Sequence, residues 1–215
     1  MTISRNFITS LERGLSVLAF LASRNGSVSL TDLAEGVDLS ISTMQRFTYT
    51  LQKLGYIERN QKNRKFQLGT KVLTLAPHFL NNSDLFDITY PHLQKLAEGS
   101  GETVNINILE GSEIIYVQRI LTNHSLLTNI RLGSRVSAHS SAAGKAILAS
   151  LSENQLKNVL NRLDFKAVTP KTITKRADFR EALNIAKAQG FATNDEELII
   201  GVRAVAAPIK NPGIP

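Results

Sequence analysis

Residues Ser40–Leu54, SISTMQRFTYTLQKL, constrain the fold of this chain more than any other stretch. Ile41, Met44, Thr48, Leu51 and Leu54 recur at spacings of three and four, one stripe of an amphipathic helix. Ser42, Gln45, Arg46, Tyr49 and Lys53 lie largely off that stripe, on a face without an acidic residue. A face of hydrogen-bonding and cationic side chains is suited to a DNA major groove. A solvated amphipathic helix carries the same pattern, so the neighbouring segments decide between the two.

Before this helix, Leu11, Leu15, Leu18 and Ala22 predict another, widened by Val17 and Leu21 and ended at Asn25-Gly26 by a left-handed cap. Ser29 with Asp32 makes a near capping box for a short second helix through Leu33, Ala34 and Val37. Asp38-Leu39 turns, and Ser40 caps the third helix. This is the helix-turn-helix order, with Ser40–Leu54 as recognition helix. Gly55 closes it. Residues 56–59 and 65–68 then predict two strands around the polar turn Asn60–Arg64, a wing carrying Arg59, Lys62, Arg64 and Lys65. Beside a recognition helix such a wing meets phosphates; alone it would be a solvated basic hairpin.

Charge decides. Residues 41–71 hold seven cations (Arg46, Lys53, Arg59, Lys62, Arg64, Lys65, Lys71) against Glu58, a net +6 of the chain's +7. The patch coincides with the helix and wing and predicts a polyanionic partner, double-stranded DNA. Ser42, Thr43, Gln45, Arg46 and Tyr49 are the expected base readers, and Arg59, Lys62, Arg64 and Lys65 the phosphate contacts. With no cysteine, disulfides, thiolate nucleophiles and zinc–cysteine sites are excluded. No apolar run approaches the ~20 residues of a membrane span, and the N-terminus lacks a signal peptide's apolar core, so a cytoplasmic location is expected.

Past the wing, Val72, Leu75, Phe79 and Leu80 continue a helical pattern broken by Pro77, and Asn81-Asn82-Ser83 loosens the chain. The expected domains are 1–69, a 70–82 linker helix and 83–215. Leu85, Ile88, His92, Leu93 and Leu96 predict a helix, with Pro91 at a kink or a fresh first turn. The period then becomes two: Val104–Leu109 and Ile114–Ile120 flank Glu110-Gly111-Ser112 as a hairpin, and Leu126–Leu132 predicts a third strand ended by Gly133. A helix at 146–151 follows the small residues Ser140–Gly144. That helix start is either a tight packing site or an anion seat. Further helices are expected from Ser152 to about Leu163 and over Arg176–Gln189, then an apolar run Val202–Ile209. The class is α+β.

Catalysis has little to stand on. His139, Ser140, Ser141 and Lys145 are close in sequence, but no third group orients a base, and neither G-x-S-x-G nor a P-loop occurs. The four histidines lack metal-ligand spacing, Asp195-Glu196-Glu197 reads as a solvated acidic face, and neither a cofactor nor a metal is expected. The alternative from another class is a small-molecule sensor or enzyme whose N-terminal domain mainly dimerises.

The segments SLERGLSVLAFL (10–21), LTDLAEGVDLSISTMQRFTYTLQKLGYIER (30–59) and FQLGTKVLTLA (66–76) resemble the IclR family of bacterial transcriptional regulators. So do residues 91–120, LGSRVSAHSSAAGKAILA (132–149) and FATNDEELIIGVRAVAAPI (191–209). The resemblance implies a winged helix-turn-helix domain joined to a GAF-like domain that binds a small organic acid. It also implies a homodimer or dimer of dimers on a palindromic operator. By position it places the effector at Ser125, Thr128, Ala142, Ala143, Asn194, Val202 and Ala204. Asn194 stands where similar proteins have Asp, and Ala204 where Cys is common; both departures bear on which acid fits. The segments FITSLERGL and RFTYTLQKLGYI resemble regulators of aromatic-acid catabolism, while small keto acids stay open. Similar proteins continue beyond the Ala-Ala-Pro segment, so the resemblance implies an effector domain shortened at Pro215.

Overall fold

The computed structural model describes residues 6–24, 26–75, 84–122 and 130–209. The chain divides into two units, Met1–Phe86 and Asp87–Pro215. In the first, three helices, α1 (Thr9–Ala22), α2 (Leu30–Gly36) and α3 (Ile41–Lys53), precede a two-stranded antiparallel wing, β1 (Ile57–Arg59) and β2 (Phe66–Leu68). Ser29 accepts the Asp32 N–H at the start of α2, and Ser40 the Thr43 N–H at the start of α3. Each cap satisfies a donor that the first helical turn leaves open.

The core of this unit is Val17, Leu21, Leu33, Met44, Leu51, Ile57 and Phe66. Met44, Thr48 and Leu51 are the buried stripe of α3, with the Thr48 hydroxyl donated to the Met44 carbonyl at 2.9 Å. Ile41 and Leu54, at the ends of the expected stripe, are exposed. On α1 the expected face is rotated: Val17 and Leu21 go inward, while Leu11, Leu15 and Ala22 are exposed. The helix also ends earlier than expected, at Ser23 in right-handed conformation; Gly26 has φ +101°, and Asn25 lies outside the described residues.

Backbone hydrogen bonds join α3 to the wing. Gly55, at φ +80°, gives its N–H to Gln52 O, and Tyr56 gives its own to Leu51 O, the paired bonds of a Schellman ending. Gly69 returns against this corner, donating to Tyr56 O at 2.8 Å; a Cβ there would sit 2.4 Å from Gly55 O. Val28 and Phe66 exchange two backbone bonds, at 2.8 and 2.7 Å, which ties the start of α2 to the wing. A 3-10 turn, Thr70–Thr74, follows. The linker pattern from Phe79 and the loose Asn81-Asn82-Ser83 lie outside the described residues.

Helix α4 (Asp84–Ser100) is one helix with Pro91 inside it, so Pro91 does not open a fresh first turn. Its inward stripe is Phe86, Thr89, Leu93 and Ala97, with Ile88, His92 and Leu96 exposed. β3 (Val104–Glu110) and β4 (Glu113–Ile120) form the expected hairpin. Of the expected third strand, residues 126–129 lie outside the described residues and Ile130–Leu132 are irregular; after a turn at Gly133, φ +80°, β5 (Arg135–Ser137) pairs with β4. Helix α5 (Ala142–Ser150) begins four residues before the expected start, because Ser141 caps it by accepting the Gly144 N–H. Then come α6 (Glu153–Leu160) with a full Ser152/Gln155 capping box, α7 (Arg176–Gln189) closed by Gly190 at φ +84°, and the antiparallel pair β6 (Ala192–Asp195) and β7 (Arg203–Ala206). Ile114, Leu148, Leu160 and Phe179 centre this core.

Candidate nucleic-acid interface and effector site

Burying Met44, Thr48 and Leu51 turns the opposite face of α3 outward. Ser42, Gln45, Arg46, Tyr49 and Lys53 are all exposed, and Thr43 is half-buried, since its hydroxyl accepts from Ser40 at 2.8 Å. The wing loop is built by its asparagines. Asn60 Oδ1 accepts the N–H of Lys62 and Asn63, and Asn63 Oδ1 accepts that of Lys65. Arg64 takes a left-handed φ of +59°, and Arg59 Nε donates to the Arg64 carbonyl at 3.2 Å. The local chain thus holds Arg59, Lys62, Arg64 and Lys65 outward. Among the described residues none of the seven cations of 41–71 is in an ion pair within 4.0 Å. Their charge is left for an outside partner, and such a field attracts phosphates.

In the second unit Ala142 and Ala143 are the first two residues of α5, buried and half-buried. Ser141 takes the Gly144 N–H at 3.0 Å, so the remaining first-turn donors are those of Ala142 and Ala143. Gly144 cannot be enlarged, as a Cβ would lie 2.1 Å from Ala138 O. Gly144→Ala should therefore cost about 1–3 kcal/mol of stability or more. Urea unfolding checks this, and a loss under 0.5 kcal/mol would refute the close packing.

Asn194 is buried, and its carboxamide is engaged at both ends: Nδ2 donates to Ser140 O at 2.6 Å and Oδ1 accepts from the Glu197 N–H at 3.2 Å. It ties the turn before α5 to the end of β6. Ala204 of β7 lies directly opposite Asn194 of β6 and is exposed; Val202 is half-buried. Ser125 and Thr128 lie outside the described residues.

Of the three acids after Asn194, Asp195 is exposed and Glu196 half-buried, and only the buried Glu197 departs from the expected solvated acidic face. Asp195 pairs with Arg203 at 2.5 Å and Lys171 at 3.1 Å, and Glu196 with Lys171 at 2.8 Å. Arg203, then Lys171, holds the Asp195 carboxyl below its ordinary range; Lys171, then the Gly201 N–H, does so for Glu196. Glu197 turns inward instead, 2.5 Å from Lys145 Nζ, with side chains 10% and 5% exposed. Its carbonyl accepts the Thr172 hydroxyl at 2.7 Å. The pairing of Lys145 with Glu197 is not legible in the sequence because the two are 52 residues apart. The only local signal was a lysine on the helix face shared by Ala142, Ala146 and Ala149.

His139 is equally buried. Its Nε2 donates to Lys166 O at 3.1 Å, which leaves Nδ1 to accept the Ser137 hydroxyl at 2.7 Å. Burial holds its pKa below the usual value, so it is neutral at pH 7 and packs edge-on against Phe165 and Phe179. A ring fixed in this way is a core element and not a base beside Ser140.

Two family models cover most of the chain: the IclR helix-turn-helix domain matches residues 10–61, and the bacterial transcriptional regulator IclR C-terminal domain residues 77–213. The chain belongs to the IclR family. The transcriptional repressor IclR of Escherichia coli is 35% identical over 94% of this chain and 74% of its own length. A transcriptional regulator from Rhodococcus, solved by crystallography, is 34% identical with a TM-score of 0.76, over 95% of this chain and 81% of that one. An IclR homologue from Microbacterium hydrocarbonoxydans, crystallised with 4-hydroxybenzoate, shares the fold at 24% identity and a TM-score of 0.78, over 95% and 84%. The protein is thus a transcriptional regulator of the IclR type with a helix-turn-helix DNA-binding domain and a C-terminal effector domain. Relatives that are repressors set aside the enzyme alternative. Among the described residues no helix is long and apolar enough to cross a membrane.

Proposed function

We propose that this regulator reads a palindromic operator with α3 and releases or grips it in response to a small organic acid. Ser42, Thr43, Gln45, Arg46 and Tyr49 meet base edges, while Arg59, Lys62, Arg64 and Lys65 hold phosphates. The observation that carries this reading is the outward, unpaired set of cations on α3 and the wing. A homodimer, or a dimer of dimers, in the cytoplasm presents two such helices about one DNA turn, ~34 Å, or a multiple of it apart. Residues 1–69 form the DNA-binding domain, 70–82 the link and 83–215 the effector domain. The acid sits with its carboxylate at the first turn of α5, by Ala142 and Ala143, where open N–H groups and the helix dipole favour an anion. Ser125, Thr128, Val202 and Ala204 complete the pocket, and Asn194 holds its wall in place. The acid acts by binding one arrangement of the dimer better than another.

Lys62→Ala is expected to flatten the dependence of log affinity on log salt by about 0.9, one released counterion. Mobility shifts on the DNA upstream of its own gene, across a salt series, test this; an unchanged slope removes Lys62 from the phosphate contacts. Thermal unfolding against a panel of organic acids tests the effector, because a ligand of the native state raises the midpoint. A panel without any shift rejects that half of the reading.

A further inference from the structure

The β3–β4 hairpin has two unlike faces. On one, Ile106 is buried, and Gln118, opposite it, accepts the Thr89 hydroxyl of α4 at 3.0 Å. On the other, cross-strand pairing sets Asn105 opposite Arg119 and Asn107 opposite Tyr116. Residues directly opposite share a face, as do residues two apart, so these four side chains lie together. The same face continues through the pair Leu109 and Ile114 into the core around Leu148 of α5. It is apolar near the hairpin turn and polar at its far end.

At the polar end three atoms are stranded. Asn105 Oδ1, Asn107 Nδ2 and Arg119 Nε are each buried to below 1 Å² and have no hydrogen-bond partner among the described residues. Arg119 is aimed along this face: its Nη1 donates to Ile130 O, and its guanidinium carbon stands 5.7 Å from the Tyr116 ring centroid. No acidic side chain among the described residues pairs with it. Folded proteins leave few buried polar atoms unmatched, since each costs stability. Here three sit on one face of one hairpin, beside a register shift between Ile106 and Asn107 of the kind that re-aims side chains.

We propose that Asn105, Asn107 and Arg119 bind a hydroxyl group of the effector. The inference rests on the acid-effector reading above and narrows the acid to a hydroxy acid, with its carboxylate at α5 and its hydroxyl on the hairpin. The chemistry matches by count: two N–H donors, on Arg119 and Asn107, face one acceptor, on Asn105. A hydroxyl has two lone pairs and one O–H. Turning over both carboxamides exchanges the asparagines' roles and leaves the same set. A second carboxylate would satisfy the donors but set negative oxygen against the Asn105 acceptor. Asn105, Asn107 and Arg119 are half-buried as whole residues.

The test pairs acids that differ by one hydroxyl: benzoate against 3- and 4-hydroxybenzoate, and butyrate against 3- and 4-hydroxybutyrate. Calorimetric titration of the full chain should show at least one hydroxylated acid binding about tenfold or more tightly than its parent. Asn107→Leu and Arg119→Gln should each reduce that preference to roughly twofold or less. Asn107→Leu should also raise the unfolding midpoint without ligand, because it removes a stranded polar atom. Should Arg119→Gln fail to fold, Asn105→Ala reports the same preference. Parent acids that bind with no preference for their hydroxylated partners, or a preference surviving these variants, overturn the hydroxyl site and leave the acid effector standing. Failure of every acid to bind overturns the effector reading and this inference with it.

Discussion

Lys145→Met should lower the free energy of unfolding by about 3–5 kcal/mol, the cost of leaving Glu197 charged and alone in the core. The Lys145 ammonium is Glu197's ion-pair partner at 2.5 Å, and the second carboxylate oxygen, Oε2, is buried without any hydrogen bond. Removing the cation strands both oxygens. The double variant Lys145→Met, Glu197→Leu should recover most of the loss, because an apolar pair of similar volume replaces a bridge whose attraction is largely offset by desolvation. Urea titrations with unchanged slope provide the comparison. A single variant within 1 kcal/mol of the parent would show that the pair is not sealed from water. The expected reason for keeping so costly a bridge is placement. It fixes α5, whose first turn carries Ala142 and Ala143, to the turn after β6, which Asn194 also holds.

Removing Lys62, Arg64 and Lys65 together should weaken binding to every DNA sequence alike and flatten the salt dependence by about 2.7, roughly 0.9 for each counterion. Arg46→Ala should behave differently. It should cost about 1–3 kcal/mol at the operator, with a smaller change on unrelated DNA, as expected where a guanidinium meets a base edge. Fluorescence anisotropy on operator and scrambled duplexes over a salt series separates the two behaviours. If the triple variant kept the parent slope, the wing would not touch the backbone. If Arg46→Ala weakened both duplexes equally, Arg46 would belong with the phosphate contacts.

Which parts of this molecule could be read from the chain follows from how many apolar faces each helix has. Helix α3 was legible because its outward face holds Gln45, Arg46 and Lys53, leaving one choice for the core side. Helix α1 offered two apolar faces: Leu11 and Leu15 on one side, Val17 and Leu21 on the other. Periodicity selects a face only where the other is polar, and here the stripe with more leucines is the exposed one. On α4, Ile88 and Leu96 misled in the same way, with Thr89 facing inward through its bond to Gln118. Strand β5 was not legible because it is short and begins with Arg135, whose guanidinium pairs with Glu110 and Glu113 across the sheet. The caps at Ser29, Ser40 and Ser152 were legible because capping is local. In the candidate effector site the small residues at α5 were visible in sequence. The Lys145–Glu197 bridge and the polar cluster on the hairpin were not, since each depends on partners brought together by tertiary folding.

The corner where Gly69 closes on Gly55, with Val28 stitched to Phe66, has a consequence for how operators can evolve. Because these backbone bonds tie the wing to the end of α3 and the start of α2, helix and wing act as the two jaws of one caliper. On the reading proposed above, the offset between a base under Arg46 and a phosphate under Lys62 is set by this corner. For the proposed dimer, operator mutations can then change the letters between the jaws or the gap separating one caliper from its twin, whereas a half-site lengthened by one base pair should be bound poorly.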